Sequence, residues 1–515
     1  MNRSQRFERL AATQTFDLVV IGGGATGLGV ALDAALRGFS VALFESHDFA
    51  GGTSSRATKL LHGGVRYLAQ GNVALVREAL AERTTIMSIA PHLAQPLPFV
   101  MPSYHWWQTP FYGVGLKLYD LLAGRAGLGR TELLGRERTL AALPGANPVG
   151  LQGGVRYWDG QFDDARLAIA IARTAEAAGA LVFNHTEVTA IGADGEGHTV
   201  GLVDRLTGTP HRVRARCVVN ATGVWVDALR EIAGTPSHMV SPSQGVHVVV
   251  DRDFLGGDHA LLVPRTQDGR VLFAVPWLGK LILGTTDTPR SDLAREPEPF
   301  DAELDFILNE ASRALSRPVR RADIRSMWVG LRPLVAPPSD GGGSTKGLSR
   351  EHTVVVDPNG LVTVTGGKWT TYRAMAEDVL DRCFDAGRLP PRPAGQSARH
   401  GLVGACASGS PVPVHAAPGL HLYGSEAAAV RALPGADQHL GMGLTAAMVR
   451  FAVRSEYAHT VEDVLARRWR SLFLDAAEAV RMAPAVAELM RAEGVADPKE
   501  ADFMALALTY GAAGV

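Results

Sequence analysis

The chain has 515 residues, 46% of them hydrophobic and 20% charged, with a formal net charge of −1. This balance is typical of an ordinary folded protein and argues against disordered and polyanion-binding classes, so we expect no nucleic-acid partner. The length accommodates two or three domains. The three cysteines (Cys217, Cys383 and Cys406) lack a metal-binding spacing and no secretory apolar segment precedes the fold, so we expect no metal site and a cytoplasmic location.

The most informative segment runs from Asp17 to Glu45 and has the pattern of a βαβ unit. An apolar run meets Gly22, Gly24 and Gly27 before an alanine-rich helical pattern and a second apolar run. Gly22 permits a tight turn, Gly24 lets the backbone approach a pyrophosphate, and Gly27 lets the helix pack closely on the strand. Glu45, at the end of the second run, can accept hydrogen bonds from a ribose 2′-OH. The segment therefore predicts a dinucleotide site at the helix N-terminus.

Other segments favour FAD over NAD as the dinucleotide. The fingerprint lies near the start of the chain, and a much later strand, VVNATG, ends in Gly223. In FAD-binding folds of the two-dinucleotide type, such a strand returns beside the cofactor. A loop rich in hydrogen-bond donors and a GGK turn before a helix supply further candidate cofactor ligands. The alternative for the GGK turn is a plain strand–helix turn without a ligand. These candidates are Thr53, Ser54, Ser55 and Lys59 in the loop, and Gly366, Gly367 and Thr370 at the turn.

The order of these segments predicts an interleaved α/β architecture. We predict an FAD-binding Rossmann-like domain of the two-dinucleotide type, a mixed β-sheet substrate domain and a C-terminal helical domain. The FAD-binding domain comprises residues 15–95, 155–235 and 355–382, and the substrate domain comprises residues 96–154 and 236–354. The C-terminal helical domain comprises residues 395–515. Within the last domain, Thr460 precedes acidic residues and is a fitting N-cap of a helix.

A family resemblance spans nearly the whole chain. The matching blocks are IGGGATGLGVALDAALRG, TSSRATKLLHGGVRYL, DDARL, VVNATGVWVD, LGTTDT, GLRPL, SREHTV, GGKWTTYR and, in the tail, DVLARR. Among these blocks, HGGVRYL and GGKWTTYR are the most specific indicators of the family. On these blocks the chain resembles the FAD-dependent glycerol-3-phosphate dehydrogenases of the respiratory type. The resemblance implies FAD as cofactor, sn-glycerol 3-phosphate as substrate, dihydroxyacetone phosphate as product and a membrane quinone as electron acceptor.

The resemblance also assigns roles to residues inside the blocks. Oxidation of a secondary alcohol on a flavin needs a base for the hydroxyl proton and, for this substrate, cations for the phosphate dianion. Arginine suits phosphate because its planar fork offers bidentate donors. The implied basic set is Arg332 and Arg66 at the polar end of the substrate, with Arg350 and Lys368 beside them. Tyr67 is the implied partner of the substrate hydroxyl. His247 is the first candidate for the base, with a purely structural strand histidine as the alternative.

Alternative functions on the same fold stay open at this point. A dioxygen acceptor would make the protein a glycerol-3-phosphate oxidase, but the chain has no large insertion of the kind that would mark that branch. Amine or amino-acid oxidation would need one carboxylate clamp and an aromatic cage, and several basic residues argue against it. The non-enzyme alternative is a flavin-bearing scaffold, which would need no phosphate clamp beside the flavin.

The segment from Pro98 to Gly124 is rich in aromatic residues. They are Tyr104, Trp106, Trp107, Phe111, Tyr112 and Tyr119. This composition suits a bilayer interface, and no apolar run reaches the ~18 residues that a membrane crossing needs. Because a quinone is dissolved in the bilayer, we expect a monotopic, peripheral position on the cytoplasmic face of the inner membrane. A buried aromatic cluster or a subunit interface, as in a homodimer, is the alternative.

Overall fold

The computed structural model describes residues 1–64, 73–336, 352–406 and 412–511. The helices are α1 (Arg3–Ala12), α2 (Ala25–Leu36), α3 (Val73–Ile89), α4 (Gln108–Ala123), α5 (Arg136–Ala142), α6 (Asp164–Ala177), α7 (Val226–Ile232), α8 (Asp301–Ala314), α9 (Tyr372–Asp385), α10 (Ala427–Arg431), α11 (Ala446–Ser455), α12 (Ser471–Leu474), α13 (Ala476–Ala492) and α14 (Glu500–Tyr510). The strands are β1 (Phe16–Ile21), β2 (Val41–Phe44), β3 (Leu60–Leu61), β4 (Ala94–Ser103), β5 (Glu132–Gly135), β6 (Gly153–Phe162), β7 (Leu181–Phe183), β8 (Thr186–Ala193), β9 (His198–Asp204), β10 (Pro210–Asn220), β11 (Val240–Asp251), β12 (Ala260–Val263), β13 (Leu272–Trp277), β14 (Lys280–Gly284), β15 (Thr288–Pro289), β16 (Ser326–Val335), β17 (His352–Val356), β18 (Leu361–Gly366), β19 (His439–Gly441) and β20 (Leu444–Thr445).

The first sheet, which we name the cofactor sheet, has the strand order β17-β18-β10-β1-β2-β7, with β9 also on β10 and β8 on β9. β1 pairs in parallel with β2, as a βαβ crossover through α2 requires, and it also pairs in parallel with β10. Leu18 and Val20 of β1 pack with helices α2, α6 and α9, whereas Val19 and Ile21 pack on the opposite side with β8 and β9. The predicted Rossmann-like domain is confirmed.

The second sheet, which we name the substrate sheet, is larger and mixed. Its order is β15-β11-β14-β13-β12-β4-β6-β3, with β16 beside β11 and β5 beside β6. Helix α8 covers one face, where Leu304 and Ile307 join the core that contains Val246 and Val248. The long pairing of β11 with β16 forms the part of this sheet that carries the candidate substrate residues.

One predicted boundary differs from the structure. Residues 155–235 were expected in the cofactor domain, yet β6 pairs with β4 over its full length, from Phe162 opposite Ala94 to Gly153 opposite Ser103. β3, inside the predicted range 15–95, pairs with β6 as well. An apolar pattern identifies a strand but does not reveal which sheet receives its hydrogen bonds. Both strands therefore belong to the substrate sheet.

The helical C-terminal region covers the remaining face of the substrate sheet. Its apolar residues share one core with that sheet, and the ring of Phe473 lies 5.1 Å from the ring of Trp328. As predicted, Thr460 is a helix cap, because its Oγ1 accepts the backbone N–H of Asp463 at 3.1 Å. A π-helical segment follows (Asp463–Arg468) and then Arg470, whose φ of 65° turns the chain into α12. None of the helices in the described part of the chain has the length and hydropathy needed to cross a membrane.

Candidate cofactor and substrate site

The glycine fingerprint forms the turn between β1 and α2. Gly22 has φ +112°, and a Cβ added at Gly27 would lie 2.0 Å from the carbonyl oxygen of Gly22, so both positions require glycine. A Cβ at Gly24 would meet only Ser54 Oγ, at 3.1 Å. The space in front of the α2 N-terminus is therefore open, and it offers unpaired N–H groups and a positive dipole end to a phosphate. These residues fit the pyrophosphate of a dinucleotide.

Glu45 follows β2 and is fixed beside this turn. Its Oε2 accepts the N–H of Gly23 at 2.8 Å, and its Oε1 accepts the N–H of His47 at 2.9 Å. Oε1 also accepts the hydroxyl of Ser46 at 3.2 Å, so Oε2 is the oxygen that retains a lone pair for a ligand hydroxyl. The carboxylate thus both braces the glycine turn and has the chemistry predicted for a ribose contact.

Residues 46–58, which we name the cofactor loop, connect this turn to the rest of the site. Ser54 Oγ accepts the N–H of Ala25 at 2.9 Å, at the first turn of α2. Thr53 Oγ1 donates to the carbonyl of Leu331 at 2.6 Å, and the indole N–H of Trp369 donates to the carbonyl of Ser54 at 2.7 Å. The loop therefore contacts the fingerprint helix, β16 and the GGK turn at once.

Lys59 lies behind the cofactor loop. Its fully buried ammonium donates to the carbonyl of Ser55 at 2.6 Å and to Asp164 Oδ2 at 2.7 Å. Burial lowers the pKa of Lys59 to about 7, and its carboxylate partner Asp164 opposes that shift. Arg470 of the C-terminal region donates to the same Ser55 carbonyl at 2.8 Å. Lys59 thus supports the loop, and a direct contact with the cofactor stays a prediction.

The GGK turn ends β18 as predicted. Gly366 and Gly367 have φ of 80° and 74°, conformations that favour glycine. Thr365 Oγ1 donates to the carbonyl of Gly223 at 3.2 Å, so the turn lies beside the late strand that ends at that glycine. Lys368 precedes a short 3₁₀ turn (Trp369–Thr371), in which Thr370 is buried.

His247 lies on β11, opposite Trp328 of β16. Its buried ring stacks on that indole with centroids 5.2 Å apart, and its Nε2 is 2.9 Å from Thr58 Oγ1. Burial and the positive charges of Lys59 and Arg332 hold the pKa of His247 well below its usual range. The imidazole is therefore neutral near pH 7, and Nδ1 finds no hydrogen-bond partner in the described part of the chain.

Arg332 lies on the same sheet and is held by oxygen atoms. Its guanidinium donates to the carbonyls of Gln244 and Thr286 at 3.1 and 3.0 Å, and it lies 3.5 Å from a carboxylate oxygen of Asp287. Arg332 also donates to Thr285 Oγ1 at 3.2 Å, next to Gly284, which pairs with His247, so the structure brings these two predicted residues into one site. The other predicted substrate residues Arg66, Tyr67 and Arg350 lie outside the described residues.

Several residues at the site were not singled out from the sequence. Thr58 and Asp164 lie inside the blocks TSSRATKLLHGGVRYL and DDARL, and that position was an available signal. No sequence signal indicated Trp328 or Arg470. Trp328 contacts the carbonyl of Arg56, 272 residues away in sequence, and Arg470 contacts the carbonyl of Ser55, 415 residues away.

The only His/Asp/Glu/Cys cluster with metal-compatible spacing in the described residues consists of Asp48, His185 and Asp463. Its two carboxylates are already occupied by guanidinium groups: Arg467 and Arg468 pair with Asp48, and Arg467 pairs with Asp463. We read this cluster as an ion-pair network that joins the π-helical segment to the cofactor loop.

Comparisons with known proteins agree with this geometry. The sequence model of the family described as FAD dependent oxidoreductase matches residues 17–379, and that of the C-terminal domain of alpha-glycerophosphate oxidase matches residues 403–501. The chain is 40% identical to the mitochondrial glycerol-3-phosphate dehydrogenase of Homo sapiens, covering 96% of this chain and 72% of the relative. Its identity to the mitochondrial glycerol-3-phosphate dehydrogenase of Arabidopsis thaliana is 39%, over 94% and 83% of the two chains.

One solved structure agrees with this assignment, and a second shares the fold. The glycerol-3-phosphate dehydrogenase from Bacillus halodurans complexed with FAD superposes with a TM-score of 0.78 at 29% identity, covering 99% of this chain and 97% of that one. An L-alpha-glycerophosphate oxidase from Mycoplasma pneumoniae shares the fold, with a TM-score of 0.58 at 17% identity over 72% of this chain and 94% of that one. The predicted fold class and cofactor are confirmed. The chain belongs to the family of FAD-dependent glycerol-3-phosphate dehydrogenases, and its cofactor is FAD.

Proposed function

We propose that the chain oxidises sn-glycerol 3-phosphate to dihydroxyacetone phosphate and passes the electrons to a membrane quinone. The bound FAD supplies the hydride acceptor. The observation that carries the proposal is that the cofactor loop touches both strands of the substrate pair: Thr58 bonds His247 of β11, and Thr53 bonds Leu331, next to Arg332 on β16. A neutral base and a cation are thereby held against the same loop.

His247 is the group that takes the hydroxyl proton. Its imidazole is neutral because burial and two nearby cations disfavour a second proton, so a ring nitrogen has a lone pair available. The hydrogen bond between Nε2 and Thr58 and the stack on Trp328 fix the ring plane. These contacts orient Nδ1, which the described protein groups leave without a partner.

Arg332 binds the phosphate. Its guanidinium is always charged and presents a planar fork of donors that matches phosphate oxygens. The carbonyls of Gln244 and Thr286 hold the fork in place before substrate arrives. The resemblance adds Arg66, Arg350 and Lys368 as further cations and Tyr67 as the hydroxyl partner.

Anaerobic reduction of the bound flavin tests this proposal. We expect sn-glycerol 3-phosphate to bleach the flavin absorbance rapidly, and glycerol to do so far more slowly. Arg332→Ala should slow bleaching by sn-glycerol 3-phosphate about thirtyfold or more, equivalent to ~2 kcal/mol, while its slow reaction with glycerol stays unchanged. Arg332→Lys should restore part of the rate. Arg313→Ala is the matched control, because Arg313 is half exposed on α8 and pairs with Glu310.

Two results would contradict the proposal. One is a flavin that stays oxidised with sn-glycerol 3-phosphate. The other is an Arg332→Ala variant that bleaches as fast as the unmodified chain, which would place the phosphate at another cation.

The quinone part of the proposal is supported by an exposed apolar stripe on α4. The exposed fraction is 66% for Phe111, 72% for Val114, 47% for Leu118 and 77% for Leu121. Trp106, just before the helix, is 82% exposed. Their spacing places them on one helix face. Such a stripe suits monotopic attachment to lipid, with the protein peripheral on the cytoplasmic face of the inner membrane.

A second candidate acceptor is dioxygen. The match of residues 403–501 to the C-terminal domain of alpha-glycerophosphate oxidase favours it. Rapid reoxidation of the reduced flavin by dioxygen with stoichiometric peroxide would select the oxidase over the quinone-linked enzyme.

A further inference from the structure

A segment of the substrate domain crosses the cofactor loop at residues 290–300. Trp225, whose indole ring would lie 3.1 Å from a Cβ at Gly52, donates its N–H to the carbonyl of Leu293 at 3.1 Å. Three residues later, the carboxylate of Glu296 pairs with Arg56 of the cofactor loop. Both anchors flank Arg295, so the backbone on either side of this residue is fixed against the loop.

The guanidinium of Arg295 lies directly on the cofactor loop. A Cβ added at Gly51 would be 2.8 Å from Nη2 of Arg295, so the cation occupies the space that a side chain at Gly51 would fill. Gly51 lies between Glu45, which braces the glycine turn, and Ser54, which bonds the first turn of α2. The cation therefore lies on the stretch of loop that connects these two contacts of the glycine turn.

Arg295 differs from its neighbours in having no acceptor. Within the described residues it makes no hydrogen bond and no ion pair within 4.0 Å, and the carboxylates of Glu45 and Glu462 act on it only from longer range. Its neighbours Arg56 and Arg467 both have carboxylate partners. Burial lowers the pKa of Arg295, and the charges of Arg467 and Arg56 add to that effect. The half-buried guanidinium thus has donors with no acceptor among the described residues, and an anionic ligand can bind them.

We propose that Arg295 binds the phosphate oxygens of FAD from the substrate-domain side. A guanidinium offers donors only, so it suits the anionic pyrophosphate, whereas the carboxylate of Glu45 suits the ribose hydroxyls. The anionic centre of the cofactor is then held between two domains: backbone N–H groups of the cofactor domain on one side and a side-chain cation on the other.

Titration of the apoprotein with FAD tests the proposal. We expect Arg295→Ala to raise the dissociation constant for FAD about tenfold or more, and Arg295→Lys to stay within about threefold of the unmodified chain. The difference between the unmodified chain and Arg295→Ala should shrink at high salt, since it is electrostatic. Arg317→Ala is the control, because its guanidinium pairs with Asp253 and covers the ring of Phe254.

Thermal unfolding of the apoprotein separates ligand binding from a structural role. If Arg295 serves the cofactor, apo Arg295→Ala unfolds at the same temperature as the unmodified apoprotein or higher, because an uncompensated cation is removed, and only the FAD-bound form is destabilised. An FAD dissociation constant within about twofold of the unmodified value would overturn the proposal. So would an apoprotein destabilised as much as the FAD-bound form, since that result assigns Arg295 to the fold.

Discussion

At the scale of single residues, surroundings decide what each titratable group can do. His247 and Lys59 carry ordinary side chains, yet burial disfavours the charged form of each and lowers both pKa values. Lys59 retains a carboxylate neighbour, whereas the charged groups that act on His247 are the cations of Lys59 and Arg332. Lys59 therefore supports the cofactor loop, and His247 is a neutral imidazole, as its proposed role of proton acceptor requires.

The fingerprint glycines allow a matched pair of substitutions. We expect Gly24→Ala to fold but to lose FAD, because the added Cβ meets only Ser54 Oγ in the protein and would occupy the pyrophosphate position. Gly27→Ala should destabilise the chain itself, since its Cβ would lie 2.0 Å from the Gly22 carbonyl. Flavin content and thermal unfolding of each apoprotein measure the two effects. Full flavin content in Gly24→Ala would contradict the assigned role.

At the scale of secondary-structure elements, α4 shows one helix with two different surfaces. Leu116 and Tyr119 are only 2% exposed and anchor it to the protein, whereas Phe111 and Leu121 on the other face are open. The aromatic window in the sequence therefore divides into a buried part and an exposed part. The exposed stripe is the part that we assign to the membrane.

Vesicle binding tests that assignment. We expect the chain to bind vesicles of phosphatidylcholine and phosphatidylglycerol, to resist extraction by high salt and to be released by mild detergent, since the attachment is apolar. Trp106→Ser, Phe111→Ser and Leu121→Ser combined should abolish binding and slow quinone reduction, yet leave reduction of a soluble dye intact. Leu508→Ser is the control, because Leu508 is 64% exposed on α14 in another domain.

Two outcomes count against a lipid partner for α4. Failure of the unmodified chain to bind vesicles is the first. The second is a dimer in solution that the triple substitution dissociates, which would make the stripe the interface of the predicted homodimer.

At the scale of the whole molecule, the C-terminal region is built into the cofactor site. Arg470 donates to the carbonyl of Ser55, and Arg467 and Arg468 both pair with the buried Asp48 of the cofactor loop. Buried ion pairs of this kind are costly to break, because removal of one partner leaves a charge without compensation. The helical region and the cofactor domain therefore depend on each other for stability.

One buried and two half-buried histidines predict a loss of stability in acid. Burial, with nearby cations, lowers the pKa of His47 to about 2 and those of His92 and His459 to about 3. Their folded-state values lie below the unfolded value of about 6.5, so the unfolded chain binds more protons below that pH. Stability should fall as pH drops from about 7 to 5, by up to ~1.4 kcal/mol per pH unit for each histidine.

Melting temperatures across that range check this prediction. His92→Gln should flatten the pH dependence, because the unfolded chain then has one proton fewer to gain. His439→Gln, at an exposed position on β19, should leave the slope unchanged. A melting temperature that is constant over the range, or that rises as pH falls, would show that these histidines do not control acid stability.

The sequence alone determined the cofactor half of this protein. The glycines at 22, 24 and 27, the acidic residue after β2 and the GGK turn act through local backbone geometry, which neighbouring residues encode directly. The block GLRPL added Arg332, and the usual pKa of histidine made His247 the candidate base; the structure places these two residues in one site. Apolar periodicity likewise predicted a mixed β-sheet domain and a helical C-terminal domain.

Only the tertiary structure decided which distant groups meet. Apolar pattern could not assign β6 to the substrate sheet, because register and partner depend on hydrogen bonds to β4. It could not reveal that Tyr119 is buried while Phe111 is open, or that Lys59 is enclosed by rings from three other segments. Arg295 carried no signal either, since its place over Gly51 follows from anchors at Trp225 and Arg56. Contacts between residues far apart in sequence arise from packing, which no local pattern encodes.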